Sequence, residues 1–326
     1  MPERFIVTSN PHIATTQTTE RIMREVIFAL LPATVAAVYF FGWRVLAVIV
    51  ISMAAAIGTE ALLQLALREQ IRIKDCSAAV TGLLLALTLP PTVPLWIPAC
   101  GSIFAIAIAK QVFGGLGTNP FNPALIGRAF LTAAWPSLLN VWKWPHAAQS
   151  VVQQLAASDA VSLATEAISS ATPLQLAKSM GAQVPLEPML WGNIAGSLGE
   201  TSAIALLAGG LYLIIRRIID WRIPVAYLGT VAVFALIFKQ DPLFHLLAGG
   251  LLLGAFFMAT DYVTSPVTRK GRAIFGIAAG VLTMLFRRFG ANPEGVCYSI
   301  LIMNAFSPMI DRLTVPRIFG EVKRHA

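Results

Sequence analysis

The sequence predicts an all-α, polytopic membrane protein of about ten transmembrane helices, built as two inverted repeats with one long extracytoplasmic loop. Three observations predict it. The 326 residues are 56% hydrophobic and only 12% charged, with a mean hydropathy of +0.72, which leaves too little polar surface to cover a soluble globule. Apolar runs recur along the chain at lengths approaching the roughly 20 residues of a spanning helix. The basic residues, finally, fall unevenly on alternate connections between those runs.

The runs lie near 25–42, 44–67, 76–89, 94–112, 122–137, 197–215, 223–238, 243–260, 272–287 and 294–311. The third ends at Pro90-Pro91 and the fifth follows Asn119-Pro120-Phe121-Asn122-Pro123. Both read as half-spans whose freed backbone groups need protein or ligand around them. With the N-terminus placed inside, 18 Lys and Arg lie on inner segments, whereas six, Arg44, Lys143, Lys178, Lys239, Arg287 and Arg288, lie outside. This asymmetry predicts cytoplasmic termini and an even number of spans. The chain then divides into a cytoplasmic segment 1–24, a first membrane half 25–137, an extracytoplasmic loop 138–196, a second half 197–311 and a cytoplasmic tail 312–326. The opening stretch is polar and broken by prolines before any apolar run, so it does not read as a cleavable secretory signal.

A repeat underlies the two halves. Thr81-Gly82-Leu83-Leu84-Leu85-Ala86 matches Gly249-Gly250-Leu251-Leu252-Leu253-Gly254 at an offset of 168, each following an Asp, Asp75 or Asp241. Asn122-Pro123 and Asn292-Pro293 recur at an offset of 170. An odd number of spans in each half makes the copies inverted, a design that places ligand sites where interrupted helices meet.

Composition excludes several chemistries. A net charge of +8 comes from short clusters between apolar runs rather than from a basic stripe, so nucleic acid is not the partner. Cys76, Cys100 and Cys297 are too scattered for a disulfide framework or a cluster site. Of the four histidines, His12, His146, His245 and His325, only His245 lies in an apolar run, which leaves no imidazole pair for a b-type haem.

Three polar stretches carry the remaining information. Ser169-Ser170-Ala171-Thr172-Pro173-Leu174-Gln175 reads locally as a helix start, with Thr172 as N-cap, Pro173 at the first turn and Gln175 closing a capping box. A phosphate is electrostatically welcome at such a helix end. The glycine-rich Phe113-Gly114-Gly115-Leu116-Gly117-Thr118-Asn119-Pro120-Phe121-Asn122-Pro123-Ala124 lacks Walker and dinucleotide spacings, and its plain reading is a tight turn between closely packed helices. Thr260-Asp261-Tyr262-Val263-Thr264-Ser265-Pro266, with Lys270-Gly271-Arg272 behind it, reads as a basic inner turn.

Together with Ser9-Asn10-Pro11-His12 and Asn304-Ala305-Phe306-Ser307-Pro308, these stretches resemble one family across essentially the whole chain. It unites the D subunit of the Rnf (Rsx) ion-translocating electron-transfer complex with the B subunit of the sodium-pumping NADH:quinone oxidoreductase, and the short N-terminal tail fits the former better. The resemblance implies a bacterial inner-membrane protein carrying FMN covalently on Thr172 through a phosphoester. It further implies a non-covalent riboflavin near Asn119, Phe121 and Asn122. Implied partners are the A, B, C, E and G subunits of the Rnf complex, a flavin transferase for maturation, and lipid. The implied activity is electron transfer between ferredoxin and NAD coupled to Na+ or H+ movement, with this chain not active alone. Glu60 and Glu200, acids at or within apolar runs, are the ion-path candidates. The competing expectation is an inverted-repeat channel or secondary transporter without redox function.

Overall fold

A computed structural model of the chain describes residues 17–68, 70, 73–145, 172–180, 185–290 and 295–316. Ser9 to His12, His146, Ser169 to Ala171, Asn292-Pro293 and His325 lie outside them, as do 146–171 and 181–184 of the predicted 138–196 loop and the end of the tail. Among the described residues the regular structure is helical, without strands.

Local chemistry sets the starts of the helices. Thr18 caps α1, Thr19–Phe41, and after a two-residue turn α2 runs Arg44–Ala66. Asp75 Oδ1 accepts the Ser77 N–H at 3.0 Å and its hydroxyl at 2.9 Å, which opens α3, Ser77–Leu87. α4, Trp96–Ile106, runs into a π turn over Ala107–Gln111. Asn122 caps α5, Pro123–Ala134, with Pro123 in its first turn, and a single turn α6, Pro136–Leu139, follows. The described part of the long loop holds α7, Pro173–Met180, and α8, Leu186–Trp191.

α9 is Ala203–Ile215 and α10 is Arg222–Ile237. Asp241 Oδ1 accepts the Leu243 N–H at 2.9 Å and opens α11, Pro242–Leu247, so the two aspartates of the sequence repeat do the same work. The run expected as one helix over 243–260 is broken at Ala248 to Gly250, where Gly249 takes a φ of +69°. It resumes as α12, Leu251–Leu253, and a π turn over Gly254–Met258. α13, Arg269–Phe289, and α14, Val296–Thr314, complete the chain.

Helix therefore occupies every one of the ten predicted runs. Among the described residues only α1 and α2 are long and apolar enough to cross a membrane unaided. α3 and α5, at 11 and 12 residues, reach about half of a roughly 30 Å hydrocarbon core at 1.5 Å per residue.

The packing order also recurs. α2 lies on α3 and α4, and α4 on α5; α10 lies on α13, and α13 on α14. The first helices of the halves, α1 and α9, pack together, as do the last, α5 and α14. No Cβ fits at Gly209 of α9 because the Ala29 carbonyl of α1 occupies its place. Such small-residue contacts let helices approach where apolar burial alone does not drive association. Outward faces carry large apolar side chains, including Tyr39 at 80% and Trp43 at 81% exposure beside the α1–α2 turn. Aromatic residues at that position suit a membrane–water interface.

Candidate functional site

Two cavities lie between the halves, at opposite ends of the bundle. The first has a volume of about 70 Å3 and is lined from α1, α3, the π turn after α4, the glycine-rich segment, α9 and the π turn after α12. That is well below the roughly 300–1,000 Å3 of small-molecule sites. Two stretches singled out in the sequence converge on it: Leu116, Asn119, Asn122, Pro123 and Ala124 from one, and Thr260, Asp261, Tyr262 and Val263 from the other.

The glycine-rich segment folds as a tight turn, with Gly114, Gly115 and Gly117 at φ of +103°, +91° and +100°. Such angles favour glycine, and they return the chain so that Asn119 is buried against the cavity. The Asn119 amide nitrogen donates to the Phe121 carbonyl at 3.1 Å, while its Oδ1 is buried without a hydrogen-bond partner. An unmet buried acceptor costs about 1–3 kcal/mol, so Asn119 is placed to receive a donor. Phe121 is partly exposed and does not line the cavity.

Asn122 has a different task. Its Oδ1 accepts the Ala124 and Leu125 N–H groups at 3.0 and 3.3 Å, and its Nδ2 donates to the Met258 carbonyl at 3.3 Å. Its own N–H reaches the side-chain oxygen of Asn304, oriented to satisfy its neighbours, at 3.1 Å. Asn122 thus pins the start of α5 to the π turn of the other half.

Lys110 is the residue that sequence reasoning missed. It appears there only as one of the inner basic charges, yet the π turn carries it inward to 1% exposure. Its ammonium donates to Glu60 Oε1 and to Ser77 Oγ, both at 2.6 Å. Gln111 and Gln64 add donors to the same oxygen at 3.1 and 3.4 Å, whereas Glu60 Oε2 has no partner. Lys110 and Ser77 line the cavity, and Glu60 sits behind them. A lysine 50 positions from its acid offers no local signal.

The second cavity is lined by Thr88, Leu125, Arg128, Leu174, Glu200, Gly249, Gly250, Met258, Arg287 and Cys297. Arg287 donates to the His245 and Ala248 carbonyls at 2.6 and 2.8 Å, groups exposed by the break after α11. Glu200 is buried in the turn before α9 rather than at the helix start expected for it, and its Oε2 accepts the Ser197 N–H at 3.3 Å. Leu174 of α7 presses on Gly249, where a Cβ would come within 2.8 Å of it. The Asn122–Met258 bond joins the walls of the two cavities, since Asn122 lines the first and Met258 the second.

Thr172 forms the predicted capping box. Its Oγ1 accepts the Gln175 N–H at 3.3 Å, the Gln175 side chain accepts the Thr172 N–H at 3.1 Å, and Thr172 is buried. The structure does not bring it to the first cavity; it opens α7, whose Leu174 and Leu176 pack in a cluster with Trp142, Trp144 and Ala248.

The sequence profile of the NQR2, RnfD, RnfE family matches residues 6–320. The chain is 48% identical over 322 residues to the D subunit of the Na(+)-translocating ferredoxin:NAD(+) oxidoreductase complex of Acetobacterium woodii, covering 97% of this chain and 96% of that protein. It is 45% identical over 333 residues to the D subunit of the proton-translocating ferredoxin:NAD(+) oxidoreductase complex of Clostridium ljungdahlii, with 97% and 96% covered. Against the D subunit of the ion-translocating oxidoreductase complex of Escherichia coli K12 the identity is 39% over 350 residues, with 98% and 99% covered.

Proposed function

The chain belongs to the NQR2, RnfD, RnfE family, and from that premise we propose that it is a membrane electron-carrier subunit of an ion-translocating oxidoreductase complex. In this reading ten spans form two inverted halves in a bacterial inner membrane, with both termini cytoplasmic and α7 on the outer side. Thr172 carries FMN through a phosphoester, and the first cavity, at the inner end, holds a second, non-covalent flavin, riboflavin. Flavin supplies exchange of one or two electrons. The rest of the complex, its A, B, C, E and G subunits, supplies the electron route between ferredoxin and NAD, and a flavin transferase loads Thr172.

The observation that carries the reading is the convergence of both family-like stretches on one cavity with the unmet Asn119 oxygen in its wall. Apolar walls and one waiting acceptor match the edge chemistry of a planar heteroaromatic ligand with ring N–H groups, but at about 70 Å3 the cavity is smaller than such a ring system, so the surrounding helices would have to part to admit one. Asn119 would take a ring donor, Asn122 would hold the wall in place, and Thr81 and Thr260 add hydroxyls to the lining. At α7 the fit is of another kind: Thr172 Oγ1 already faces amide N–H groups, a setting that favours an attached phosphate. Because that hydroxyl is buried, the transferase must act before α7 packs or while it is lifted. Glu60 beside the inner cavity and Glu200 beside the outer one are the acids placed to meet the transported Na+ or H+.

The test is in-gel flavin fluorescence after denaturation, with the chain expressed beside a flavin transferase. The parent band is expected to fluoresce and the Thr172→Ala band to be dark. A fluorescent alanine variant would move the attachment elsewhere.

A further inference from the structure

We propose that a groove at the N-terminal end of α1 binds an anionic phospholipid, with the phosphate taken by Arg21 and Arg24 and the acyl chains laid along the outer faces of α1 and α9. The groove has a volume of about 580 Å3, far larger than either buried cavity, and opens on the outside of the bundle between the first turns of α1 and Tyr212 of α9. Its acids are already engaged. Glu25 accepts from Arg216 at 2.6 Å and from the Tyr212 hydroxyl, and Glu20 pairs with Arg24. Arg21 is exposed, has no hydrogen bond to its guanidinium among the described residues, and acts on Glu25 only at longer range. Arg24 is held only by its pair with Glu20, and exposed pairs of this kind contribute little, so its guanidinium can turn to a phosphate. Around the groove four positive charges, Arg21, Arg24, Arg216 and Arg217, stand against two negative ones, Glu20 and Glu25. That excess attracts an anionic headgroup, and the guanidinium fork suits its phosphate.

What lies beyond the arginines selects a lipid over a soluble anion. Arg24, Phe28, Leu31 and Val35 recur at three- and four-residue spacing on one face of α1, and the three apolar members are exposed. On α9, Leu207, Leu211 and Ile215 repeat turn by turn and are exposed as well. Phe28 and Tyr212 join the two helices at the groove, their ring centroids 5.6 Å apart. From Arg24 to Val35 the helix rises about 16 Å at 1.5 Å per residue, about half of a roughly 30 Å hydrocarbon core, which is the depth of one leaflet. A basic head above an apolar strip of that length matches the two parts of a phospholipid. A helix from a neighbouring subunit fits less well, because membrane helices meet closely through small residues. The glycines of α9, Gly209 and Gly210, are instead turned inward onto Ala29 and Phe256, which leaves large side chains on the outer faces.

Native mass spectrometry of the full-length chain in detergent tests the assignment, with dioleoyl phosphatidylglycerol, dioleoyl phosphatidylcholine and glycerol phosphate as probes. The parent is expected to hold one phosphatidylglycerol at least about tenfold more tightly than phosphatidylcholine, as two arginines at a lipid surface allow, and to leave glycerol phosphate unbound at the same concentration. The Arg21→Gln, Arg24→Gln double variant should lose that preference. The Arg269→Gln, Lys270→Gln double variant, which removes equal charge from an exposed stretch elsewhere, should keep it. Equal binding of the two lipids by the parent would overturn the site, and so would glycerol phosphate bound as tightly as phosphatidylglycerol, which would make it a free-phosphate site. Equal losses in both double variants would reduce it to attraction by net charge. A benzophenone photocrosslinker placed at Leu31 in cells supplies a reading that needs no arginine variant to accumulate: its adduct should be lipid, whereas a polypeptide adduct would give the face to a neighbouring subunit and overturn the proposal.

Discussion

The inner and outer cavities share a wall at Asn122 and Met258, but their polar groups are used in opposite ways. At the outer cavity Arg287 is turned onto the His245 and Ala248 carbonyls at the break after α11, and Glu200 onto the Ser197 N–H in the turn before α9, so charge there is spent on local backbone. At the inner cavity the backbone is closed by π turns, and side chains are left with capacity: Asn119 Oδ1 and Glu60 Oε2 are buried and unmet. Buried polar groups without partners are uncommon; Ser197 Oγ beside Glu200 and Trp142 Nε1 near α7 are others. The contrast separates the surroundings of α7 and Thr172 from the cavity at which we propose a ligand.

The largest expected effect breaks the inner side of this comparison. Lys110→Met alone strands the Glu60 carboxylate and should cost about 3–5 kcal/mol, read as loss of accumulation or a steep fall in melting temperature. Adding Glu60→Gln should recover most of it. Equal losses in the single and double variants would mean that packing rather than charge pairing holds the site.

Asn122→Ala should come next, since it removes the α5 cap, worth about 0.5–2 kcal/mol, and leaves the Met258 carbonyl without its donor. Melting of the purified protein checks the cost. Both cavities should loosen together because their common wall is cut; protection of α5 and of the 254–258 turn from hydrogen exchange should fall in parallel.

Asn119→Ala should be far milder to the fold, within about 1 kcal/mol of the parent, because the lost bond to Phe121 is offset by removal of an unmet acceptor. Its consequence should appear in the ligand, as weaker retention of non-covalent riboflavin. A large loss of stability with riboflavin retained would make Asn119 part of the scaffold.

The smallest effect lies at the turn between α9 and α10. Burial raises the Asp220 carboxyl, but the Arg222 backbone N–H and the guanidinium groups of Arg272 and Arg222 outweigh it and hold the pKa below the ordinary carboxylate value. A lowered pKa contributes stability above the unfolded value that is lost as pH falls through the folded one. The melting-temperature gap between parent and Asp220→Asn should therefore be open at neutral pH and close in acid. A gap independent of pH would assign the effect to packing.

Much of this is legible in the sequence where the controlling interaction is local. The Thr172-Gln175 box, the Asp75 and Asp241 helix starts and the Asn122-Pro123 opening of α5 all form within three residues, and all are found. The break at Ala248 to Gly250 is not legible, because Leu246-Leu247-Ala248-Gly249-Gly250-Leu251 reads as an unbroken apolar run whose cut is set by Leu174 and Arg287 from elsewhere. Glu60 stands out as an expensive acid, but its partner cannot be seen: Lys110 is 50 residues away and turns inward only through a π turn. The motif groups Phe121 with its neighbours, whereas the structure keeps it out of the cavity lining.

With one flavin bound covalently at α7 and another reversibly at the inner cavity, as proposed, acid precipitation of the purified chain divides flavin between pellet and supernatant. The parent should leave flavin in both fractions; Thr172→Ala should empty the pellet alone, and Asn119→Ala should deplete the supernatant alone. Flavin persisting in the Thr172→Ala pellet, or a parent supernatant free of flavin, would contradict that proposal.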